Sequence, residues 1–318
     1  MCNLCCSPTH IERRGFLKAL AALPLVAALP AIAAEAGIDG YRATFEAVRA
    51  EEDGRSLFVI RRFRQAGEHL ALTVDPSTLK TEIRPDLKLI PERGFDRSTP
   101  YLDALDAATS PPYPTENAGL RRARGAVDGY FLTVDMCPSK KPFESRFFAG
   151  LASHGSGPFP VAISISGYWA LEHEAEFASL IERQRIGELD VTWVNHSYTH
   201  RYVRGLPDRQ NFLLMPGTDF EEEVLKTEQL LIAKGLTPSV FFRFPGLVSD
   251  AALVIALRRL GLVPLGTDAW LAKLQKPKFG SIVLVHGNGN EPFGISKVKP
   301  YLADPSVRWL GLNEALTA

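Results

Sequence analysis

Cysteine is scarce in this chain of 318 residues: it has four, and three of them, Cys2, Cys5 and Cys6, lie close to the N-terminus. Only Cys137 lies farther along the chain. A framework of intramolecular disulfides is therefore excluded beyond the N-terminal segment. At this length the chain can bury a sizeable apolar core, so it needs no disulfides for stability.

An excess of either charge is also absent, because 36 basic residues balance 36 acidic ones. The chain has no basic block and no repeated pattern of aromatic and basic residues, so it lacks the electrostatic footprint of a nucleic-acid-binding protein. We therefore expect no nucleic-acid partner. Hydrophobic residues make up 46% of the chain and charged residues 23%, which is typical of a folded protein.

No apolar run suits a stable membrane span. The stretch Ala19–Ala34 has 16 residues and contains two prolines. The alternative interpretation of this stretch is a transmembrane anchor, but 16 residues are short for a membrane span. It follows the pair Arg13 and Arg14 and includes the small-residue sequence Ala31–Ala33. The segment resembles a twin-arginine export signal, so we predict that residues 1–33 are cleaved and that the protein is periplasmic or otherwise exported.

Residues 37–125 show no cluster of catalytic residue types. The sequence YRATFEAVRAEE (41–52) predicts a helix, and SLFVIRRF (56–63) with HLALTVD (69–75) predicts a pair of strands. The proline-rich sequence SPPYPTENAGL (110–120) predicts an extended linker. We interpret this region as a small N-terminal α+β extension without an assigned role.

Beyond Asp128, short apolar strands alternate with helices, which favours an α/β fold with a parallel sheet, open or closed as a barrel, over residues 126–318. The predicted strands are YFLTVD, PVAISIS, VTWVNH, SVFFRF, LVPLGTD and SIVLVHG. The predicted helices include DFEEEVLKTEQLLIAKG and SDAALVIALRRLG. The glutamates at 221–223 lie in the first turn of the former helix, where they complement its dipole, and we expect them to be structural.

Polar side chains recur at the carboxyl ends of these predicted strands. They are Asp135, His196, Arg243, Asp268, Trp270 and His286. Each alone could be an ordinary strand-end residue, but the carboxyl edge of a parallel barrel is where active sites form. His196 and His200 are four residues apart, a spacing that would let two imidazoles on one helical turn hold a metal ion. The alternative is a polar loop end.

Five short motifs follow one another between Tyr130 and the C-terminus. They are TVDMCPS (133–139), HSYTH (196–200), RFPG (243–246), DAW (268–270) and LVH (284–286). In this order they resemble the motifs of the polysaccharide deacetylases of the NodB-homology type, also called carbohydrate esterase family four. The resemblance implies a distorted parallel (β/α) barrel that hydrolyses N-acetyl or O-acetyl groups of a polysaccharide or other N-acetylated glycan. It implies a divalent metal, with zinc expected, and makes no prediction of oligomeric state.

The resemblance also assigns roles by position. His196 and His200 would bind the metal as neutral imidazoles. The catalytic residues would be Asp135 as base, His286 as acid, Arg243 holding the base and Asp268 orienting the acid. Trp270 could form an apolar wall beside the acetyl group or sugar.

One position departs from the family pattern. The family places a second acid, a metal ligand, where this chain has Met136, and a thioether is a poor ligand for such a cation. Cys137 could supply a thiolate instead, although a cysteine can equally be a small buried apolar residue. Alternatively, Asp135 binds the metal and Glu144 becomes the base.

Two other functions stay open. The domain could bind glycan without metal or catalysis, or it could be an amidohydrolase acting on a small C–N substrate. The presence of both Arg243 and Asp268 favours catalysis, because a binding pocket has no use for such supporting groups. In the loop that follows His200, we expect Arg201, Tyr202, Arg204 and Asn211 either to contact sugar or to form plain surface.

Overall fold

A computed structural model of the chain describes residues 37–155 and 157–317. The predicted signal peptide, with Cys2, Cys5 and Cys6, lies outside the described residues. Within them, no helix is long and apolar enough to cross a membrane. The residues described form one compact unit.

The N-terminal part is an antiparallel sheet followed by one helix. Its strands are β1 (Ile38–Ala50), β2 (Ser56–Gln65), β3 (Glu68–Val74), β4 (Thr81–Pro85) and β5 (Leu89–Pro91), in the order β4-β3-β2-β1-β5. Helix α1 (Pro100–Thr109) comes next, and its N-cap Thr99 accepts a hydrogen bond from the backbone of Leu102. The predicted pair of strands is confirmed as β2 and β3, which pair with each other.

The helix predicted over 41–52 is wrong, because nearly all of this segment belongs to strand β1. Pairing with β2 overrides the helix propensity of its alanine, glutamate and arginine residues. The register shifts twice along β1, once between Asp39 and Arg42 and again between Ala43 and Glu46. Such irregularities change which side chains face the core, so the strand lacks the simple alternation that would identify it.

The C-terminal part is a curled parallel sheet surrounded by helices, which confirms the predicted α/β fold. Its strands are β6 (Phe131–Met136), β7 (Phe159–Ile165), β8 (Leu189–Asn195), β9 (Phe241–Phe242), β10 (Val263–Pro264), β11 (Ala269–Trp270) and β12 (Ile282–His286), in the order β10-β9-β8-β7-β6-β12-β11. Its α-helices are α2 (Ser145–Ala152), α3 (Gly167–Glu172), α4 (Glu174–Arg185), α5 (Phe220–Ala233), α6 (Ala251–Arg259), α7 (Pro292–Ala303) and α8 (Glu314–Thr317). Short 3₁₀ helices span 86–88, 208–210, 212–214, 245–247 and 271–273. The six predicted strands and the two predicted helices are present.

The two edge strands, β10 and β11, do not pair with each other among the described residues, so the barrel is incomplete. Part of the predicted linker lies beside this edge. The backbone of Leu120 donates a hydrogen bond to the carbonyl of Pro264 (2.9 Å), and the side chain of Asn117 donates to the carbonyl of Thr267 (2.6 Å). Gly119 has φ +91°, and a Cβ there would lie 2.0 Å from the Pro264 carbonyl oxygen. The linker is thus packed against the edge of the barrel.

Side chains of strand β6 alternate between two apolar layers. Leu132, Val134 and Met136 pack outward against the helices, whereas Phe131 faces the opposite layer. That opposite layer also contains Phe58 and other residues of the N-terminal sheet. The inner side of the barrel strands therefore carries the polar residues at its carboxyl end.

Candidate active site

A cavity of about 970 Å³ opens at the carboxyl ends of the parallel strands. Its lining includes five residues predicted for the site, namely Asp135, Cys137, His196, His200 and His286. Arg243 lies behind Asp135, and Asp268 is not part of the lining. The structure therefore brings together all the predicted site residues except Asp268.

Asp135 is the penultimate residue of strand β6 and is held by Arg243. Nη1 of Arg243 donates hydrogen bonds to Oδ1 of Asp135 (2.8 Å) and to the hydroxyl of Thr133 (2.7 Å). The guanidinium also donates to the backbone carbonyl of Gly266 at 3.0 Å. Burial favours the neutral acid, but Arg243, His196 and His286 together outweigh burial and lower the pKa of Asp135. Asp135 is thus a buried carboxylate with a fixed orientation.

The residues after Asp135 follow the alternation of the strand. Met136 is fully buried in the outer apolar layer, so it cannot serve as a ligand in the cavity. Cys137 returns to the side of Asp135 and lines the cavity. The thiol that sequence analysis offered as a substitute ligand therefore lies in the right place.

His196 and His200 lie on a loop after strand β8, not on a helical turn. Ser197 and His200 have positive φ values of +64° and +45°, which fold the loop so that the two imidazole centroids are 4.7 Å apart. Glu223 holds this loop from helix α5. Its carboxylate accepts hydrogen bonds from the backbone of Tyr198 and from the backbone and hydroxyl of Thr199, at 2.9, 2.9 and 2.5 Å.

The donor set fits a metal ion. The ligand atoms of Cys137, His196 and His200 all lie within 4.8 Å of one another, and all three residues are buried. Nδ1 of His196 donates a hydrogen bond to the backbone carbonyl of Arg243 (2.8 Å), which leaves Nε2 with a lone pair facing Cys137 at 3.5 Å. Nε2 of His200 is buried without a hydrogen-bond partner among the described residues. A divalent metal would satisfy this orphaned nitrogen.

The surroundings of the Cys137 thiol favour its thiolate form. Burial raises its pKa, but the neighbouring His200 and His196 outweigh burial and lower the pKa well below its ordinary value. A thiolate is the form that binds metal. One thiolate and two imidazoles form a ligand set found in catalytic zinc sites.

His286 lies at the end of strand β12, in register with Asp135 on the neighbouring strand. Burial acts to lower its pKa, but contacts with Cys137 and Glu291 raise it well above its ordinary value. Oε2 of Glu291 lies 2.8 Å from Nδ1 of His286. The site therefore places the imidazole of His286 beside a carboxylate that lies outside the Cys137, His196 and His200 cluster.

The role of orienting His286, which the resemblance implies for Asp268, stays a prediction. No hydrogen bond or ion pair joins it to His286 in the described part of the chain, and its nearest cation is Arg122, at 4.0 Å. The indole of Trp270 packs beside the imidazole instead, with ring centroids 5.9 Å apart. The carboxylate that lies beside His286 is that of Glu291.

Sequence analysis missed the contributions of Glu291, Glu223 and Asn211. Asn211 is fully buried and contacts no sugar-binding surface; its amide bonds both the nitrogen and the carbonyl of Val203, at 2.7 and 2.9 Å. It thereby fixes the loop that carries Arg201 and Tyr202, which both line the cavity. The glutamate at 144 does not line the cavity, so the structure gives no contact that would make it the base.

No known family model matches the chain. Among solved structures, the chain is similar to family 4 carbohydrate esterases. One from Bacillus anthracis has 15% sequence identity, with 68% of this chain and 90% of that chain covered, at a TM-score of 0.47. PdaA of Bacillus subtilis, of the same family, has 15% identity, coverage of 71% and 90%, and a TM-score of 0.46. A family pseudoenzyme from Bacillus anthracis has 16% identity, coverage of 62% and 68%, and a TM-score of 0.42. Since esterases and a pseudoenzyme are both similar, the likeness assigns no activity.

Proposed function

We propose that this protein is an exported, metal-dependent hydrolase that removes N-acetyl or O-acetyl groups from a glycan. One observation carries the proposal: the Cys137, His196 and His200 cluster shares a cavity wall with Asp135, an ionised carboxylate oriented by Arg243. A ligand cluster, a base and an acid within one cavity are the groups that metal-assisted acyl hydrolysis requires. Export is proposed from the twin-arginine segment alone.

Cys137, His196 and His200 would hold the metal, and their thiolate and imidazole donors suit zinc. When bound, the metal would polarise the acetyl carbonyl and make a water molecule more acidic. His196 is oriented for this by the Arg243 carbonyl, and the His200 loop is held by Glu223. These contacts keep the donor atoms in place before the metal arrives.

Asp135 would act as the general base. Its Oδ1 is occupied by Arg243, whereas its Oδ2 lies 3.7 Å from Nε2 of His196, on the side of the ligand cluster. A proton taken from water would go to that oxygen. The lowered pKa keeps Asp135 ionised and ready to accept it.

His286 would act as the general acid. It lies at the end of strand β12 and lines the same cavity as the cluster, and its raised pKa favours the protonated form. Its proton would pass to the nitrogen or oxygen that leaves as the acyl bond breaks, so that acetate and a neutral leaving group result.

The cavity suits a sugar ring better than a charged small molecule. Tyr168, Tyr202 and Trp270 line it, and Tyr168 and Tyr202 are exposed. Aromatic faces of this kind provide apolar area with polar edges, which complements the C–H faces and hydroxyls of a sugar.

The experiment is metal analysis combined with acetate release. We would compare wild type with the variants Cys137→Ser and His196→Ala, and use His69→Ala, at an exposed histidine, as the control. Bound metal is measured in each protein by elemental analysis. Acetate release is assayed on N-acetylated chito-oligosaccharide and on an O-acetylated xylan. We expect about one equivalent of metal in wild type and in the control, its loss in the other two variants, and acetate release that follows metal content.

Three results would contradict the proposal in different ways. Wild type without metal after reconstitution would leave a glycan-binding protein as the better account. Metal kept in Cys137→Ser but lost in His196→Ala would move the third ligand role to Asp135. Metal binding with release of acetate from neither substrate would point to a different C–N substrate.

A further inference from the structure

We infer that Glu291, in the loop after β12, is the positioning residue for His286, in place of Asp268 in the loop before β11. The inference rests on the proposed function, because it concerns how the acid of that reaction is held. Glu291 lies five residues beyond His286, in a loop between β12 and helix α7. It belongs to none of the motifs found by sequence analysis.

One carboxylate oxygen of Glu291 contacts two side chains. Oε2 of Glu291 lies 2.8 Å from Nδ1 of His286, and Nε1 of Trp270 donates a hydrogen bond to the same oxygen, also at 2.8 Å. The indole can only donate, so it fixes the carboxylate as an acceptor. Glu291 is thereby held in one orientation, and its side chain is 29% exposed.

The loop that carries Glu291 is tied to the segment after strand β6. The amide of Asn288 donates a hydrogen bond to the carbonyl of Cys137 (2.6 Å), and the hydroxyl of Ser139 donates to the side-chain oxygen of Asn290 (3.0 Å). Gly289 has φ +75°, and a Cβ there would lie 2.3 Å from the Pro142 carbonyl. These contacts leave the loop little freedom, so the position of Glu291 is set by the same segment that carries the thiol.

Asp268 has none of these features. It is not in the cavity lining, and its contact is a 4.0 Å approach to Arg122, whose side chain is 54% exposed. Among the described residues, no contact joins Asp268 to His286, whereas Glu291 contacts the imidazole directly.

The contact has a definite chemical effect. Oε2 of Glu291 faces Nδ1 of His286 without the alignment of a hydrogen bond, so Glu291 positions the ring through close contact and charge. This leaves Nε2 as the nitrogen that gives up a proton. That proton passes to the leaving nitrogen as the C–N bond breaks, and His286 ends neutral.

A test with two leaving groups separates positioning of an acid from structural support. The proteins compared are wild type and the variants Glu291→Gln, Glu291→Asp and Asp268→Asn, each loaded with metal. Each is assayed on N-acetylated chito-oligosaccharide and on p-nitrophenyl acetate. The amine needs a proton to leave, whereas nitrophenolate does not.

For Glu291→Gln we expect kcat on the amide to fall about 100-fold with KM unchanged within a factor of two, because an acid contributes on that order. On p-nitrophenyl acetate we expect a loss below five-fold, and metal content equal to wild type. Glu291→Asp should recover part of the lost kcat on the amide, and Asp268→Asn should lose less than Glu291→Gln.

Equal losses on the two substrates, or loss of metal in Glu291→Gln, would overturn the assignment and make Glu291 a structural residue. A greater loss in Asp268→Asn than in Glu291→Gln would return the role to Asp268. Failure of metallated wild type to release acetate from either substrate would instead overturn the proposed function, and the assignment with it.

Discussion

Arg61 of strand β2 and Glu228 of helix α5 form a buried two-point ion pair between the N-terminal sheet and the barrel. Nε and Nη2 of Arg61 lie 2.6 and 2.8 Å from the two carboxylate oxygens, and the side chains are 0% and 1% exposed. The hydroxyl of Tyr41 donates the third hydrogen bond that this carboxylate accepts, to Oε2 of Glu228 at 2.9 Å. The remaining donors of Arg61 bond backbone carbonyls, including that of Leu260. The pair is thus fully satisfied only when both parts of the chain are in place.

Removing the charge of Glu228 should strongly destabilise the protein. In Glu228→Gln the buried guanidinium of Arg61 loses its counter-ion, and we expect the free energy of unfolding to fall by about 3–5 kcal/mol. The matched control is Glu222→Gln in the same helix, which breaks the exposed pair with Lys226 and should change it by less than about 0.5 kcal/mol. Urea unfolding of the two variants is the measurement. Similar losses in both would mean that the buried pair has no special role.

The phenol of Tyr41 should make stability fall at alkaline pH. Burial, together with the charge of Glu228, raises the pKa of Tyr41 well above its ordinary value of about 10. A group whose pKa is raised on folding contributes stability that is complete below the unfolded pKa and is lost as pH rises towards the folded pKa. Between pH 8 and 11, the thermal midpoint should therefore fall less in Tyr41→Phe than in wild type, whereas exposed Tyr202→Phe should follow wild type. Parallel curves for all three would refute this link.

Asp135 should be required for turnover but not for metal binding. We expect Asp135→Asn to reduce kcat for acetate release about 100-fold or more, because a general base contributes on that order, while metal content stays at the wild-type level. The control is Asp190→Asn, which lies near the start of strand β8, at the end of the strand away from His196. This variant should retain activity. Elemental analysis beside the assay separates the two effects. Loss of metal from Asp135→Asn would make the aspartate a ligand.

Glu223 should set the affinity for metal through the loop that it holds. Replacing it with glutamine turns an acceptor of three hydrogen bonds into a weaker one, and we expect metal affinity to fall about 10- to 100-fold, as for other outer contacts of metal ligands. Glu221→Gln, in the same helical turn but exposed, should bind metal as wild type does. Competition with a chromophoric chelator gives the two affinities. Equal affinities would show that the loop keeps its shape without Glu223.

Much of the barrel follows from local sequence. Strands such as β6 and β12 are buried on both faces, so they appear as continuous apolar runs, and the polar residue that ends each one marks the active edge. Parallel pairing then brings Asp135 and His286 side by side. The sequence motifs predicted that Asp135 and His286 lie close together, because the carboxyl ends of parallel strands meet at one edge of the sheet regardless of the length of the connecting loops.

The remaining features depend on contacts between distant segments. Strand β1 was mistaken for a helix because its pairing with β2 decides its structure, and register shifts conceal its alternation. Glu291 carries no signal in its own neighbourhood, since its partners His286 and Trp270 meet it only in the folded chain. Likewise Glu223 resembles any acidic residue in a first helical turn, and its hydrogen bonds to Tyr198 and Thr199 follow from helix packing.

Arg243 serves the base with its side chain and the ligand His196 with its backbone carbonyl. Every amino acid at this position would keep the carbonyl, but the guanidinium supplies both the hydrogen bond to Asp135 and those to Thr133 and Gly266. Under the proposed mechanism, a single codon change at this position would therefore uncouple the base from the metal site, abolishing turnover while the anchor of His196 remained.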